Sequence, residues 1–530
     1  MMDNLNDLWN RAAELYGDRT AVIFEDQRYT YADLDALIRA FAASLPCLGV
    51  GPGDRVALVL PNCLHSIVCY LGIIRAGAIA LPLNIRLKPS EMRFMFEDAA
   101  PKAVIVHRAL REQVNEALDG LPPIPRLGVG FEDEQYSSID RVVRASRPHP
   151  AEDATNPQPA GETPALREEE DAGGRDVDRN VTPDDTAAII YTSGTTGLPK
   201  GAMITHGNVL FNITATIAGH GFRADDIHLL IVPLFHVTGL NTIMPTAFYQ
   251  GATLVVSGDP NPTNVVALIE RHSCTTVFTV PTTAILLVQT PGIADHPLPS
   301  LRLFAYSGAP MPVRAISRLR ELFPDKLLHN FFGLTETTSC TSVLPSDQAL
   351  LRPESIGRLV PGLHARIVDE EGNALAAGLV GELLIKGPSI VKGYYNRPEA
   401  TAEAIVDGWL HTGDTAFIDP EGYIFLQGRK KEMLIVAGEN VYPVEVENVL
   451  TRHPAVAEAA VIGEPHPIFG EVVKAVVVLR AGEEPNPRDL KRYCAEQLAS
   501  YKVPQTFEFR DALPRNPSGK VVKRALKDAP

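Results

Sequence analysis

Apolar residues in this chain follow two rhythms: short continuous runs, and stretches in which they return at every third or fourth position. The run at 56–60 (Val-Ala-Leu-Val-Leu) reads as a buried strand, 63–75 as a helix and 78–83 as a second strand. The same unit returns as strand 252–256, helix 265–271 and strand 276–280, and again as strand 301–306, helix 313–322 and strand 327–331. Strands alternating with helices predict parallel sheets covered by helices. The most apolar stretch, 67–83, is interrupted by Gly72, Arg75, Gly77 and Pro82, so it reads as a buried helix leading into a strand and not as a membrane span.

Past Gly428 the texture changes. Amphipathic helices over 443–450 and 488–498, with strands over 459–462 and 472–479, predict a small α+β domain. From about 148 to 185 the periodicity is lost to Pro, Glu, Asp and Gly, including the run Glu168-Glu169-Glu170-Asp171. That stretch reads as a solvated, mobile loop or linker.

The chain has 530 residues, too many for one hydrophobic core, which calls for two or more domains. A net charge of -15 argues against a nucleic-acid partner, because neutralising phosphates takes clustered Lys and Arg. It does not exclude ATP, for which a few converging backbone N–H groups and cations suffice. The opening Met1-Met2-Asp3-Asn4-Leu5-Asn6 has neither the basic nor the apolar part of a signal peptide. Six scattered cysteines (Cys47, Cys63, Cys69, Cys274, Cys340, Cys494) lack the spacing of a zinc site or a disulfide framework. A cytoplasmic enzyme with no transmembrane segment is expected.

Several segments carry candidate chemistry. Tyr191-Thr192-Ser193-Gly194-Thr195-Thr196-Gly197-Leu198-Pro199-Lys200-Gly201 follows an apolar run at 187–190. Its glycines let a backbone wrap closely around an anion, its hydroxyls supply donors, and Lys200 adds a point charge for phosphate oxygens. No Gly-Lys-Ser/Thr follows at Walker spacing, so the cradle is of another kind. Asn330-Phe331-Phe332-Gly333-Leu334-Thr335-Glu336-Thr337 closes a predicted strand, where ligands of open α/β sheets gather. Upstream, the small residues of Ser307-Gly308-Ala309-Pro310 permit close approach. Further along lie His411-Thr412-Gly413-Asp414, Gly428-Arg429-Lys430-Lys431-Glu432, Ala437-Gly438-Glu439-Asn440-Val441-Tyr442-Pro443 and Pro514-Arg515-Asn516-Pro517-Ser518-Gly519-Lys520-Val521.

Taken in this order, these segments resemble the motifs of the adenylate-forming acyl-CoA synthetase superfamily, with 191–201 the most specific, and the resemblance runs from about Leu8 to Lys523. It implies an α/β fold: a large N-terminal domain (1–427) of doubly wound sheets plus a distorted β-barrel, a hinge at 428–431, and a small mobile α+β C-terminal lid (432–530). It implies ATP, Mg²⁺ and coenzyme A as ligands. Phosphate contacts fall to Thr192, Ser193, Gly194, Thr195, Thr196, Gly197, Lys200 and Thr335; the adenine side falls to Ser307, Gly308, Ala309, Pro310, Asn330, Phe331, Phe332 and Gly333. Glu336 and Thr192 are implied at the Mg²⁺, Asp414 at the ribose with Arg429 nearby, Lys431 at the pivot, and Gly438 and Glu439 along the CoA channel. Lys520 resembles the adenylation lysine, and His236, in Leu234-Phe235-His236-Val237-Thr238-Gly239, resembles the gate to the carboxylate. Ala437 stands where many relatives have a second glycine, and Glu432 where many have Asp.

The chemistry so implied has two steps. A carboxylate is a poor acyl donor, and attack on the α-phosphate of ATP converts its oxygen into part of a good leaving group. The CoA thiol then takes the acyl group and AMP departs. Such transfer is mainly positioning and charge neutralisation. No Asp occupies the position at which amino-acid-activating relatives pair the ammonium, and Phe331 offers nothing to a second carboxylate. A medium- or long-chain fatty acid is the leading expectation. An aryl or cinnamate-type acid is the nearest rival, and an acyl-AMP ligase that loads a carrier protein is a rival of another class. A homodimer is left open.

Overall fold

The computed structural model describes residues 2–139, 141, 181–192, 198–309, 311–436, 439–466, 470–516 and 519–527. Two large sheets form its bulk. The first has seven strands in the order Ser137–Ser138, Arg126–Val129, Ala103–His107, Arg55–Val59, Ile79–Pro82, Thr186–Thr192 and Lys200–Thr205. All run parallel except the last, which turns back on Thr186–Thr192 with Thr192 opposite Lys200.

The second sheet has fourteen strands. Its parallel part orders Thr20–Phe24, Thr253–Val256, Ile227–Leu230, Thr276–Thr279, Leu303–Ser307 and Leu327–Phe332. Antiparallel strands continue it through Ser342–Leu344, Ser355–Leu359, Ile424–Arg429, Trp409–Ile418, Gly381–Lys386 and His364–Val368. This run is the counterpart of the expected distorted barrel. The helix Leu64–Arg75 is buried at every residue from Ser66 to Ile74, so it needs apolar or small residues all round. One core joins it to His206–His220 and to the inner faces of both sheets.

The C-terminal domain is separate. It has a five-stranded sheet (Glu439–Val441, Leu434–Val436, Gly470–Leu479, Val456–His466, Thr506–Phe509) and its own core around Leu434, Val446, Leu450, Val461, Val473 and Leu490. The strand expected over 459–462 extends to Val456–His466, because it pairs throughout with Gly470–Leu479. The helix expected to reach 498 ends at Ala495. Residues 148–180 of the expected acidic loop lie outside the described residues. Its last part, 181–185, is an ordered turn in which the Thr182 amide and hydroxyl donate to Asp185 Oδ2 at 2.8 and 3.0 Å. Among the described residues, no helix is long and apolar enough to cross a membrane.

Candidate active site

Candidate residues lie at the carboxyl ends of the parallel strands and on the antiparallel strands beside them. Leu303–Ser307 and Leu327–Phe332 pair in register, with Tyr306 opposite Asn330 and Ser307 opposite Phe331. Successive strand residues face opposite sides. Phe332 is therefore half-buried, while Phe331 is 2% exposed and packs edge-on against His220 and Phe278. Asn330 spends its amide on the chain, donating to Ser355 O at 3.1 Å. Gly308 is at φ 90°, a left-handed conformation that favours glycine. Gly333 is required for a different reason: a Cβ there would stand 1.4 Å from Ser339 O.

Glu336 sits on the short helical turn Thr335–Thr337 after that strand, with Thr335 half-buried beside it. Its Oε1 accepts from the Tyr394 hydroxyl at 2.8 Å, and Lys200 Nζ lies 5.1 Å from the centre of the same ring. Tyr394 thus joins the strand of the phosphate loop to the carboxylate. Behind it, Asp98 accepts from Tyr191 Oη at 2.6 Å and from Arg397 at 2.7 Å. Tyr394, Asp98 and Arg397 carried no sequence signal, since a Tyr or an ion pair is ordinarily structural. The expected contacts of Ser193, Gly194, Thr195, Thr196, Gly197, Pro310 and Gly438 lie outside the described residues. Thr192 closes the base of that hairpin, and Glu439 opens a strand opposite Val436.

Asp414 and Arg429 face each other across paired strands, with Arg429 Nε 2.8 Å from Asp414 Oδ1. Arg429 also donates to Thr412 O at 2.8 Å. Asp414 is 5% exposed, and among the described residues its Oδ2 is buried without a hydrogen-bond partner. Burial pushes its carboxyl up to about 6, with Arg429 and Lys520 pulling the other way. An orphaned buried carboxylate oxygen is an acceptor free to take a donor from a ligand.

Lys520, on the C-terminal domain, stands within electrostatic reach of Asp414, Glu336 and Arg429. Its backbone is held in a tight ribbon: Lys520 N donates to Asn516 Oδ1 at 2.9 Å, and Asn516 N donates to Lys520 O at 2.8 Å. The residue is exposed, with protein groups on one side of its ammonium. Crowding lowers its pKa, as does Arg429, while Asp414 and Glu336 oppose the drop. His236 faces the same ammonium: burial first, then Lys520 and Arg86, hold its imidazole at about 4, so it is neutral near pH 7. Asn62 pins this segment, accepting from Leu234 N at 2.8 Å and donating to Val232 O at 2.9 Å. Lys431 lies in the turn Lys430–Glu432 that leads out of Ile424–Arg429.

Lys520 is therefore within electrostatic reach of Glu336 and Asp414, and His236 feels the same ammonium. Among the described residues no three His, Cys, Asp or Glu side chains form a metal cage. Mg²⁺ arriving with a nucleotide needs no such cage, since one carboxylate with phosphates and waters suffices.

Comparison with known proteins agrees with this geometry. The model of the AMP-binding enzyme family matches residues 9–395, and that of the AMP-binding enzyme C-terminal domain matches 445–520. The fatty acid–[acyl-carrier-protein] ligase ScoC of Streptomyces coeruleorubidus is 34% identical over 518 residues, 96% of this chain and 93% of that protein. A feruloyl-CoA synthase of Amycolatopsis sp is 35% identical over 520 residues, 98% and 97% of the two chains. The crystal structure of the anthranilate CoA ligase AuaEII with anthranoyl-AMP superposes with a TM-score of 0.85 at 27% identity, covering 99% of this chain and 96% of that one. With both family models matched and relatives aligned over nearly the whole chain, the chain belongs to the AMP-binding enzyme family, the adenylate-forming acyl-CoA synthetase superfamily.

Proposed function

We propose that this AMP-forming ligase activates a medium- or long-chain fatty acid as its acyl-adenylate and passes the acyl group to coenzyme A. The observation that carries the reading is the convergence of Lys520 with His236, Glu336 and Asp414. Asp414 Oδ2 accepts from the ribose and so fixes the α-phosphorus near the ammonium. Lys520 neutralises charge as a carboxylate oxygen attacks that phosphorus and pyrophosphate leaves. His236, being neutral, hydrogen-bonds the acid without competing as a second cation. Lys200 faces the phosphates, and Mg²⁺ when bound at Glu336 adds Lewis-acid neutralisation of their charge.

Phe235 and Val237 beside His236 are buried apolar residues, which favours an acid without a second charge. The similarity to ScoC supports a fatty acyl group. The similarity to a feruloyl-CoA synthase gives an aryl acid as the second reading. ScoC is also a carrier-protein ligase, so the acceptor needs its own test. Pyrophosphate and AMP release should be measured over fatty, aryl, branched and dicarboxylic acids, with and without CoA. Turnover led by fatty acids and dependent on CoA is expected. A preference for aryl acids would select the second reading. Acyl-AMP that accumulates and ignores CoA would replace CoA with another acceptor.

A further inference from the structure

We infer that Lys523 is a positioning residue for Lys520: it ties the terminal segment bearing the catalytic ammonium to the first residue beyond the expected hinge, so that the two travel as one body. The inference rests on the adenylation role proposed for Lys520.

Lys523 Nζ lies 2.8 Å from Glu447 Oε1 and 3.2 Å from Glu432 Oε2, with the lysine side chain 17% exposed. Glu447 belongs to the helix Pro443–Arg452 and is itself fixed, accepting from Val461 N at 2.7 Å. Glu432 ends the turn Lys430–Glu432. Burial disfavours the ammonium, but the two carboxylates outweigh it and hold the Lys523 pKa above its ordinary value. The clamp therefore stays charged at any pH at which the enzyme works.

Two residues separate this clamp from Lys520, and they do not swing freely. Arg515 bridges Val521, Val522 N donates to Pro514 O at 2.8 Å, and Leu513 and Leu526 pack into a small cluster with Ala460, Ile462 and Val476. The described backbone after Lys520 is thus tied down, and its ionic anchors belong to the C-terminal domain itself. Where Lys520 points is set through Glu432 by the exit of the hinge. A lysine that merely stabilised the small domain would have no reason to affect one half-reaction more than the other.

The full chain is tested in each half-reaction separately: pyrophosphate release on forming acyl-AMP, and CoA-dependent consumption of supplied acyl-AMP. The acid is the best one found in the panel above. Lys523→Met is expected to slow acyl-AMP formation by about 10- to 100-fold, the scale of a misplaced catalytic group, with KM for ATP unchanged and thioester formation spared. Lys523→Arg, which keeps both ion pairs, should restore most of the rate. If Lys523→Met fails to fold, Glu432→Gln takes its place, since it keeps the pair with Glu447, and a smaller loss in the same step is expected. Equal losses in both half-reactions, or no loss in either, would overturn the inference. Lys520→Ala, run in parallel, tests the premise: if it still forms acyl-AMP, the role of Lys520 fails whatever the Lys523 variants do.

Discussion

Asp414 carries a conflict between folding and binding. Its pKa is raised from 3.8 to about 6 by burial. Between those values the folded protein holds a proton that the unfolded chain releases, so this group's contribution to stability is present below about pH 4 and is lost as pH rises through about 6. Nucleotide binding should run the other way, because an ionised carboxylate accepts best from two ribose hydroxyls. Calorimetry of AMP binding is expected to show affinity rising from about pH 5 to about pH 7, with the midpoint near the pKa. Asp414→Asn should bind AMP about 10- to 100-fold more weakly and without that pH dependence, a loss on the scale of charged hydrogen bonds. An unchanged affinity in Asp414→Asn would move the ribose elsewhere. Tyr394 makes a second case at this scale. Its hydroxyl donates to Glu336, and both burial and that carboxylate raise its pKa, so it stays a donor at every working pH. Tyr394→Phe releases Glu336 and is expected to raise the Mg²⁺ concentration for half-maximal pyrophosphate release several-fold, about 1 kcal/mol for one hydrogen bond. An unchanged Mg²⁺ requirement would make Tyr394 a packing residue only.

Elements were legible wherever a local rhythm sufficed. The helix read over 313–322 is Val313–Leu322, and the three strand–helix–strand units sit where apolar runs and helical periods place them. The long strand Val456–His466 was read as four residues because Glu458, Glu464 and Pro465 interrupt the apolar pattern; its length comes from a distant partner, Gly470–Leu479. The π-helical turn Thr238–Ile243 left no trace in the periodicity either. It is imposed by close packing at Gly239, where a Cβ would lie 2.6 Å from Pro233 O. In the site, Glu336, Asp414 and Lys520 were legible because each lies in a motif, whereas Tyr394 and Lys523 depend on partners 58 and 76 residues or more away in sequence. Gly333 shows how tightly one element end is fitted. With Ser339 O at 1.4 Å from any Cβ, Gly333→Ala must displace backbone, and a loss of about 3 kcal/mol or more in chemical denaturation is expected, together with weaker AMP binding. A variant as stable as the parent would mean that the turn carrying Glu336 shifts at little cost.

At the scale of the molecule, two chemical steps share one cleft but need different groups beside the same carbonyl. The small domain reaches the large one through contacts of unequal weight. Arg452 pairs with Glu354 across the boundary, but both are exposed, at 46% and 40%, and such pairs contribute about 0–1 kcal/mol. Lys520, also exposed, instead stands within electrostatic reach of Asp414, Glu336 and Arg429 together. On the adenylation role proposed for Lys520, this arrangement serves the first step, and the ammonium gives way before CoA reaches the acyl carbon. That asymmetry gives Lys520→Ala its expected signature. Acyl-AMP formation should fall about 100- to 1000-fold, the range for removing one preorganised group that meets transition-state charge. Thioester formation from supplied acyl-AMP should proceed at the parent rate, since no charge on Lys520 is needed once pyrophosphate has gone. Stopped-time assays of the two half-reactions separate these outcomes. Equal losses in both would mean that Lys520 serves the cleft as a whole, and the domain rotation would then have to be argued from other residues.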